Sequence, residues 1–192
     1  MIYFIDNFLP VDIFKETKNQ LDSRNYWELA TPGKSFYVQE ASHSFINHVC
    51  GSLSTIEDNI VEPILSFFRV SNDVLDTNWR IHSDLNIEGQ KPDRAVVLYM
   101  SPRKVDELHG TALWEHVDYG RCLPKDTPNE EYDRMITKES ENLDKWRLDS
   151  VVGYNQNRII SYPAHYFHSK YPNKSWEEGR EVFVMFYKTI KI

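Results

Sequence analysis

His82, Ser83 and Asp84 form an HxD tripeptide. A second histidine, His168, follows far downstream with Ser169 beside it, and Arg180 lies a short interval beyond. Side chains at i and i+2 of an extended segment project to the same face, so the His82 imidazole and the Asp84 carboxylate point together. One imidazole from a distant strand would complete a three-ligand set. Two histidines and one carboxylate on one face of an ion, with the remaining positions open, suit non-heme Fe(II) in oxygenases better than structural zinc or calcium. The chemistry this indicates is oxidation.

Such a set needs a rigid frame, and the chain is long enough to build one. Its 192 residues, 41% hydrophobic and 14% aromatic, suffice for one sizeable core, read here as a single domain over 1–192. A net charge of −7 weighs against a non-specific partner for nucleic acid, which needs a clustered cationic face. Cys50 and Cys122 show no CxxC or zinc-like spacing, so both are expected as free thiols in a reducing, cytoplasmic setting. The apolar opening Met1–Pro10 carries Asp6 and no basic leader, and is expected to be a first strand. The longest apolar run, Ala95–Met100, is far too short to span a bilayer, so no membrane partner is expected. The spacing says nothing about oligomeric state.

Periodicity divides the chain at about residue 73. Before it, Phe14, Thr17 and Leu21 predict an amphipathic helix over 11–21. Apolar residues from Phe45 to Phe68 recur at three- and four-residue steps and predict a helical stretch over 42–68, broken or kinked at Gly51 and Pro63. From Val74 onward, short β-branched and aromatic runs predict strands at 76–84, 93–100, 111–116, 151–154, 158–162 and 181–187. Strands with few helices between them argue for an antiparallel sandwich or barrel in 74–192, supported by the N-terminal strand and helices of 1–73. The charged segment 124–149 holds Tyr132, Met135, Ile136 and Trp146 near helical spacing and reads as an insertion: either a lid over substrate or a solvated excursion.

The order of these pieces resembles the Fe(II)- and 2-oxoglutarate-dependent dioxygenases, most closely their prolyl 4-hydroxylase-like branch. The resemblance runs through Trp79-Arg80-Ile81-His82-Ser83-Asp84, Arg94–Met100, Gly110–Trp114, Asn157–Pro163 with His168-Ser169, and Arg180 heading Val182-Phe183-Val184. The opening Phe4–Leu9 also resembles this branch. It implies a double-stranded β-helix (jelly-roll, cupin-like) core with N-terminal helices. It implies His82, Asp84 and His168 as metal ligands and catalytic centre, with Fe(II), 2-oxoglutarate and O2 as cofactor and cosubstrates. Arg180 would pair with the far carboxylate of 2-oxoglutarate, as a guanidinium does through two parallel hydrogen bonds. Tyr99 resembles the tyrosine that hydrogen-bonds the same carboxylate, and a plain core tyrosine is the equal alternative. Lys170 and Lys188 are the fallback cations, and His165 competes with His168. His109 and His116 flank a strand and could stand at the pocket mouth.

The activity implied is hydroxylation of an unactivated C–H bond with release of succinate and CO2, and the presence of Asp84 favours hydroxylation over halogenation. The substrate, a small molecule or a peptidyl or free amino acid, is not readable. Two rivals remain at this point: a jelly-roll binding protein without turnover, and a cupin-type iron enzyme that does not use 2-oxoglutarate.

Overall fold

The computed structural model describes residues 1–22, 26–31, 34–71, 79–102, 108–124, 127–173 and 179–192. In chain order its elements are β1 (Tyr3–Ile5), α1 (Val11–Asp22), β2 (Trp27–Thr31), β3 (Lys34–Glu40), α2 (His43–Glu57), β4 (Asn59–Ser71) and β5 (Arg94–Tyr99). There follow β6 (Gly110–His116), α3 (Asn129–Glu139), a 3-10 turn at Leu143–Lys145, β7 (Trp146–Gly153), β8 (Ile159–Pro163), β9 (His168–Tyr171) and β10 (Arg180–Lys191). The strands form two antiparallel sheets, one ordered β1-β8-β5-β10-β4-β3-β2 and the other β7-β6-β9. A bridge between His82 and His168 adds the HxD segment beside β9. The expected jelly-roll core with N-terminal helices is what the chain builds.

Strand alternation sorts the side chains into layers. On β10, Val182, Val184 and Phe186 face the space between the sheets, while Phe183, Met185 and Tyr187 face outward into a second core. That outer core is closed by α1 and α2 through Leu21, Phe45, Val49 and Leu53. β5 is buried on both faces from Ala95 onward, which is why Ala95–Tyr99 reads as an unbroken apolar run rather than an alternating one. A third cluster, Ile81, Trp114, Met135, Trp146 and Phe167, lies under α3.

Several expectations are corrected. The helical stretch over 42–68 is α2 followed by the long strand β4. Asp58, in the left-handed conformation at φ 52°, ends the helix, and Gly51 lies within α2 without breaking it. Pro63 sits where the β4–β10 register shifts, a bulge that tolerates a residue lacking an N–H. Ile60, Ile64 and Phe68 therefore continue the helical spacing by coincidence. The hairpin β2–β3 had no helical or strand expectation of its own. Trp146 opens β7, so the inserted segment ends earlier than residue 149. Of the strand expected at 76–84, residues 76–78 lie outside the described residues, and the rest contributes only the His82–His168 bridge. No helix among the described residues is long and apolar enough to cross a membrane. Cys50 and Cys122 are free, as expected.

Candidate active site

His82, Asp84 and His168 are brought together by two neighbouring segments of the smaller sheet, and one ligand-type atom from each lies within 4.8 Å of the others. His82 Nε2 stands 3.7 Å from Asp84 Oδ1, and His168 Nε2 stands 3.3 Å from Asp84 Oδ2. The pair of backbone bonds His82 N to His168 O (3.1 Å) and His168 N to His82 O (2.8 Å) sets the two imidazoles side by side. Their ring centroids are 4.5 Å apart.

The tautomers follow from the other ring nitrogens. His82 Nδ1 lies 2.8 Å from the Arg80 carbonyl, and His168 Nδ1 lies 2.9 Å from the Tyr166 carbonyl. A carbonyl can only accept, so each Nδ1 carries a proton, and Nε2 is the nitrogen of each ring that faces the centre and is available to a metal. Two imidazole nitrogens and a carboxylate that converge on one point present three donor atoms to a single cation. The donor set therefore fits a divalent metal, with two nitrogens and a carboxylate oxygen. His165, in the turn before β9, packs its ring on Tyr166 and is not part of this group.

A third layer of contacts holds the HxD segment. The Tyr132 hydroxyl on α3 accepts from Ser83 N at 3.0 Å and donates to Ser83 O, occupying both backbone groups of the residue between the two ligands. Burial pushes the Tyr132 phenol up to about 12, so it stays protonated and able to donate at ordinary pH. Ser140 O accepts from Ile81 N at 3.2 Å. The Glu141 carboxylate accepts from Trp79 N at 3.1 Å and Arg80 N at 2.8 Å. Segment 129–141 thus supplies the hydrogen bonds that a further strand would give. It is itself fixed by Trp146 Nε1 donating to Glu139 O (2.7 Å) and by His116 Nε2 against Glu139 Oε2 (2.7 Å).

This corrects two expectations. Met135 and Trp146 are buried in the third core, with Tyr132 and Ile136 packed against it, and none of the four lines the cavity beside the metal-type group, so they form a buttress behind the ligands and not a lid over them. His109 and His116 are buried and absent from the cavity wall, and do not stand at its mouth.

The cavity between the sheets measures about 330 Å³, at the small end of the range for ligand sites. His82, Asp84, His168 and Tyr162 form one wall, and Arg180, 7% exposed, closes one end. The Arg180 guanidinium lies 3.4 Å from Thr111 Oγ1 and stands over the rings of Tyr99 and Tyr154, with Cζ at 5.5 and 5.9 Å from the centroids. Tyr99 is placed behind this arrangement. Its hydroxyl pairs with Thr111 Oγ1 at 2.8 Å and it is not among the residues lining the cavity, so Thr111 presents the hydroxyl there. Lys170 lines the cavity, whereas Lys188 reaches Gln90 at 2.8 Å outside it. Sequence reasoning missed Thr111 and Glu141, and it placed Tyr132 in a lid or excursion rather than behind the ligands. No local pattern marks these contacts, because each is made to a residue remote in the chain.

No family model matches the chain, and no curated protein matches it. Solved structures do. A Pseudomonas putida prolyl-4-hydroxylase matches at 10% identity and TM-score 0.56, over 97% of this chain and 91% of that one. HygX from Streptomyces hygroscopicus, solved with nickel, 2-oxoglutarate and hygromycin B, matches at 11% identity and TM-score 0.61, over 97% and 82%. The fold is that of the Fe(II)- and 2-oxoglutarate-dependent dioxygenases. The non-heme alpha ketoglutarate dependent epimerase SnoN from nogalamycin biosynthesis shares it at 10% identity and TM-score 0.62, over 97% and 78%, so this dioxygenase fold carries more than one reaction outcome.

Proposed function

We propose that this chain is an Fe(II)- and 2-oxoglutarate-dependent dioxygenase that hydroxylates an unactivated C–H bond of a small-molecule or amino-acid-like substrate, releasing succinate and CO2. The observation that carries the reading is the convergence of two histidine Nε2 atoms and the Asp84 carboxylate within 4.8 Å, in a cavity whose end is closed by buried Arg180. His82, Asp84 and His168 would hold Fe(II). When bound, the metal and 2-oxoglutarate together supply dioxygen activation.

The residues of the chain do the rest. The carbonyls of Arg80 and Tyr166 hold each Nδ1–H and so aim each Nε2 at the centre. Arg180 and Thr111 would receive the far carboxylate of 2-oxoglutarate, leaving its 2-oxo acid end toward the ligands. Tyr99 would act through Thr111 by fixing that hydroxyl. The apolar inner face of β4 and β10 would exclude water from the reacting C–H bond. Two free cysteines support a reducing, cytoplasmic setting.

Anaerobic addition of Fe(II) and then 2-oxoglutarate to the purified protein tests the reading. A weak visible charge-transfer band and mutual enhancement of binding are expected. Independent binding of the two with no band overturns it, and would favour an iron site that does not use 2-oxoglutarate.

A further inference from the structure

Strand β4 has a second cavity behind it. Leu65, Phe67, Arg69 and Ser71 line the cavity beside the metal-type group, so strand alternation turns Phe68 the other way, toward α1 and α2. There Phe68 forms part of the wall of a separate cavity of about 250 Å³. Gln39 of β3 is the register partner of Phe68 and lines the same space. α1 contributes Ile13, Thr17 and Leu21, and α2 contributes Phe45 and His48, three residues apart on one face. One sheet therefore separates this cavity from the candidate active site.

Its lining holds polar groups that the fold leaves unused. Gln39 is 3% exposed, and its Oε1 atom is buried with no hydrogen-bond partner among the described residues. His48 Nε2 is buried and likewise without one. Buried amides and imidazoles are normally paired, and an unmade bond at such a group weakens the fold. A leucine, similar in size, would fill position 39 without that cost. Charge shows what kind of partner would suit these groups. Glu16 and Glu40 line the cavity from exposed positions, and no lysine or arginine lines it among the described residues. Gln20 donates to Glu16 Oε1 at a long 3.4 Å, which leaves that carboxylate with acceptor capacity to spare. Phe45 and Phe68, with ring centroids 5.2 Å apart, supply an aromatic surface beside these acceptors.

We propose that this cavity is a second ligand site, for a small primary ammonium compound with a compact apolar body. Its N–H groups would donate to Gln39 Oε1 and to the carboxylates of Glu16 and Glu40, and its body would lie on Phe45 and Phe68, whose rings also attract a cation. A carboxylate ligand would instead meet two carboxylates. The site does not depend on the dioxygenase reading, since it shares no lining residue with the cavity that holds His82, Asp84 and His168.

The probes are 2-phenylethylamine, 2-phenylethanol and 3-phenylpropionate, titrated by calorimetry at about pH 7.5, where a primary amine is protonated. The amine is expected to bind about tenfold or more tighter than the alcohol, and the acid more weakly than either. In protein labelled at Ile, Leu and Val methyl groups, the amine is expected to shift the NMR signals of Ile13 and Leu21 and not those of Ile87 or Val182, which line the other cavity. Gln39→Leu should weaken amine binding about fivefold or more and leave the alcohol within about twofold. Its urea midpoint should be no lower than the parent's, because the substitution removes a buried unpaired amide. Equal binding of amine and alcohol, no amine binding, an acid that binds as tightly as the amine, or shifts confined to Ile87 and Val182 overturns the proposal. So does a Gln39→Leu variant that binds the amine like the parent, or one that unfolds at lower urea, which would give the amide a structural role. The probe comparison and the methyl shifts use the unsubstituted protein and stand whether or not the variant folds.

Discussion

Removing one oxygen atom from α3 should loosen a metal site whose ligands it never touches. Tyr132→Phe keeps the ring in the third core and deletes only the hydroxyl that engages Ser83 N and Ser83 O. Ser83 is 4% exposed, so water replaces those partners poorly. An unmade hydrogen bond at a buried group costs about 1–3 kcal/mol, and outer contacts of this kind typically change metal affinity 10- to 100-fold, or about 1.4–2.7 kcal/mol. Two lost bonds thus exceed what the metal site alone would register, and the remainder should appear as lower stability of the metal-free protein. The assay is paired: Ni(II) affinity by chelator competition, and urea unfolding without metal. Expected are a metal affinity lower by about tenfold or more and a metal-free stability lower by about 1 kcal/mol or more. Met135→Ala is the control. It opens a cavity in the same core, should cost about 2–5 kcal/mol of stability, and should leave metal affinity within about twofold. If Tyr132→Phe binds metal as tightly as the parent, or if Met135→Ala weakens metal equally, the segment is packing alone and the buttress argument fails.

Arg180→Ala should weaken 2-oxoglutarate binding roughly 30-fold or more and leave metal affinity largely intact, since it removes a buried charge and no ligand; calorimetry with and without metal checks this, and unchanged cosubstrate affinity would move the role to Lys170. Gly110→Ala should destabilise the fold by on the order of 3 kcal/mol, because a Cβ there would stand 2.0 Å from Val152 O and force β6 away from β7; a urea midpoint near that of the parent would show that the strands yield. Burial raises the phenols of Tyr3, Tyr99, Tyr132, Tyr154, Tyr162 and Tyr187 above their ordinary value of 10.0, Tyr3 and Tyr132 to about 12. Their contribution to stability is complete below pH 10 and is lost as pH rises through 12, since only the unfolded chain ionises them readily. Absorbance at 295 nm should therefore show these six of the eleven tyrosines titrating late and together with unfolding; smooth titration of all eleven near pH 10 would refute the burial.

What the sequence determined by itself is what short-range geometry can encode. His82 and Asp84 share a face because they are two residues apart, and the order of HxD, apolar strands, distal histidine and arginine was enough to place His82, Asp84, His168 and Arg180 around one cavity. The helix α1 and strands β5, β6, β8 and β10 were legible from periodicity, since one buried face, or two in β5, imposes it. Where two periods fit the same residues, spacing could not choose. Ile60, Ile64 and Phe68 satisfy a helix, and only pairing of β4 with β3 and β10 made them a strand. Tertiary structure alone decided the function of segment 129–141. Its apolar residues predict that something is covered, but whether they cover substrate or the third core depends on contacts such as Tyr132 to Ser83, 49 residues apart. It also decided that Thr111 and not Tyr99 lines the cavity, and that Arg69 stands one rung from Arg180. Cross-strand register sets such neighbours, and register is fixed by packing across the sheets, which no local stretch of sequence contains.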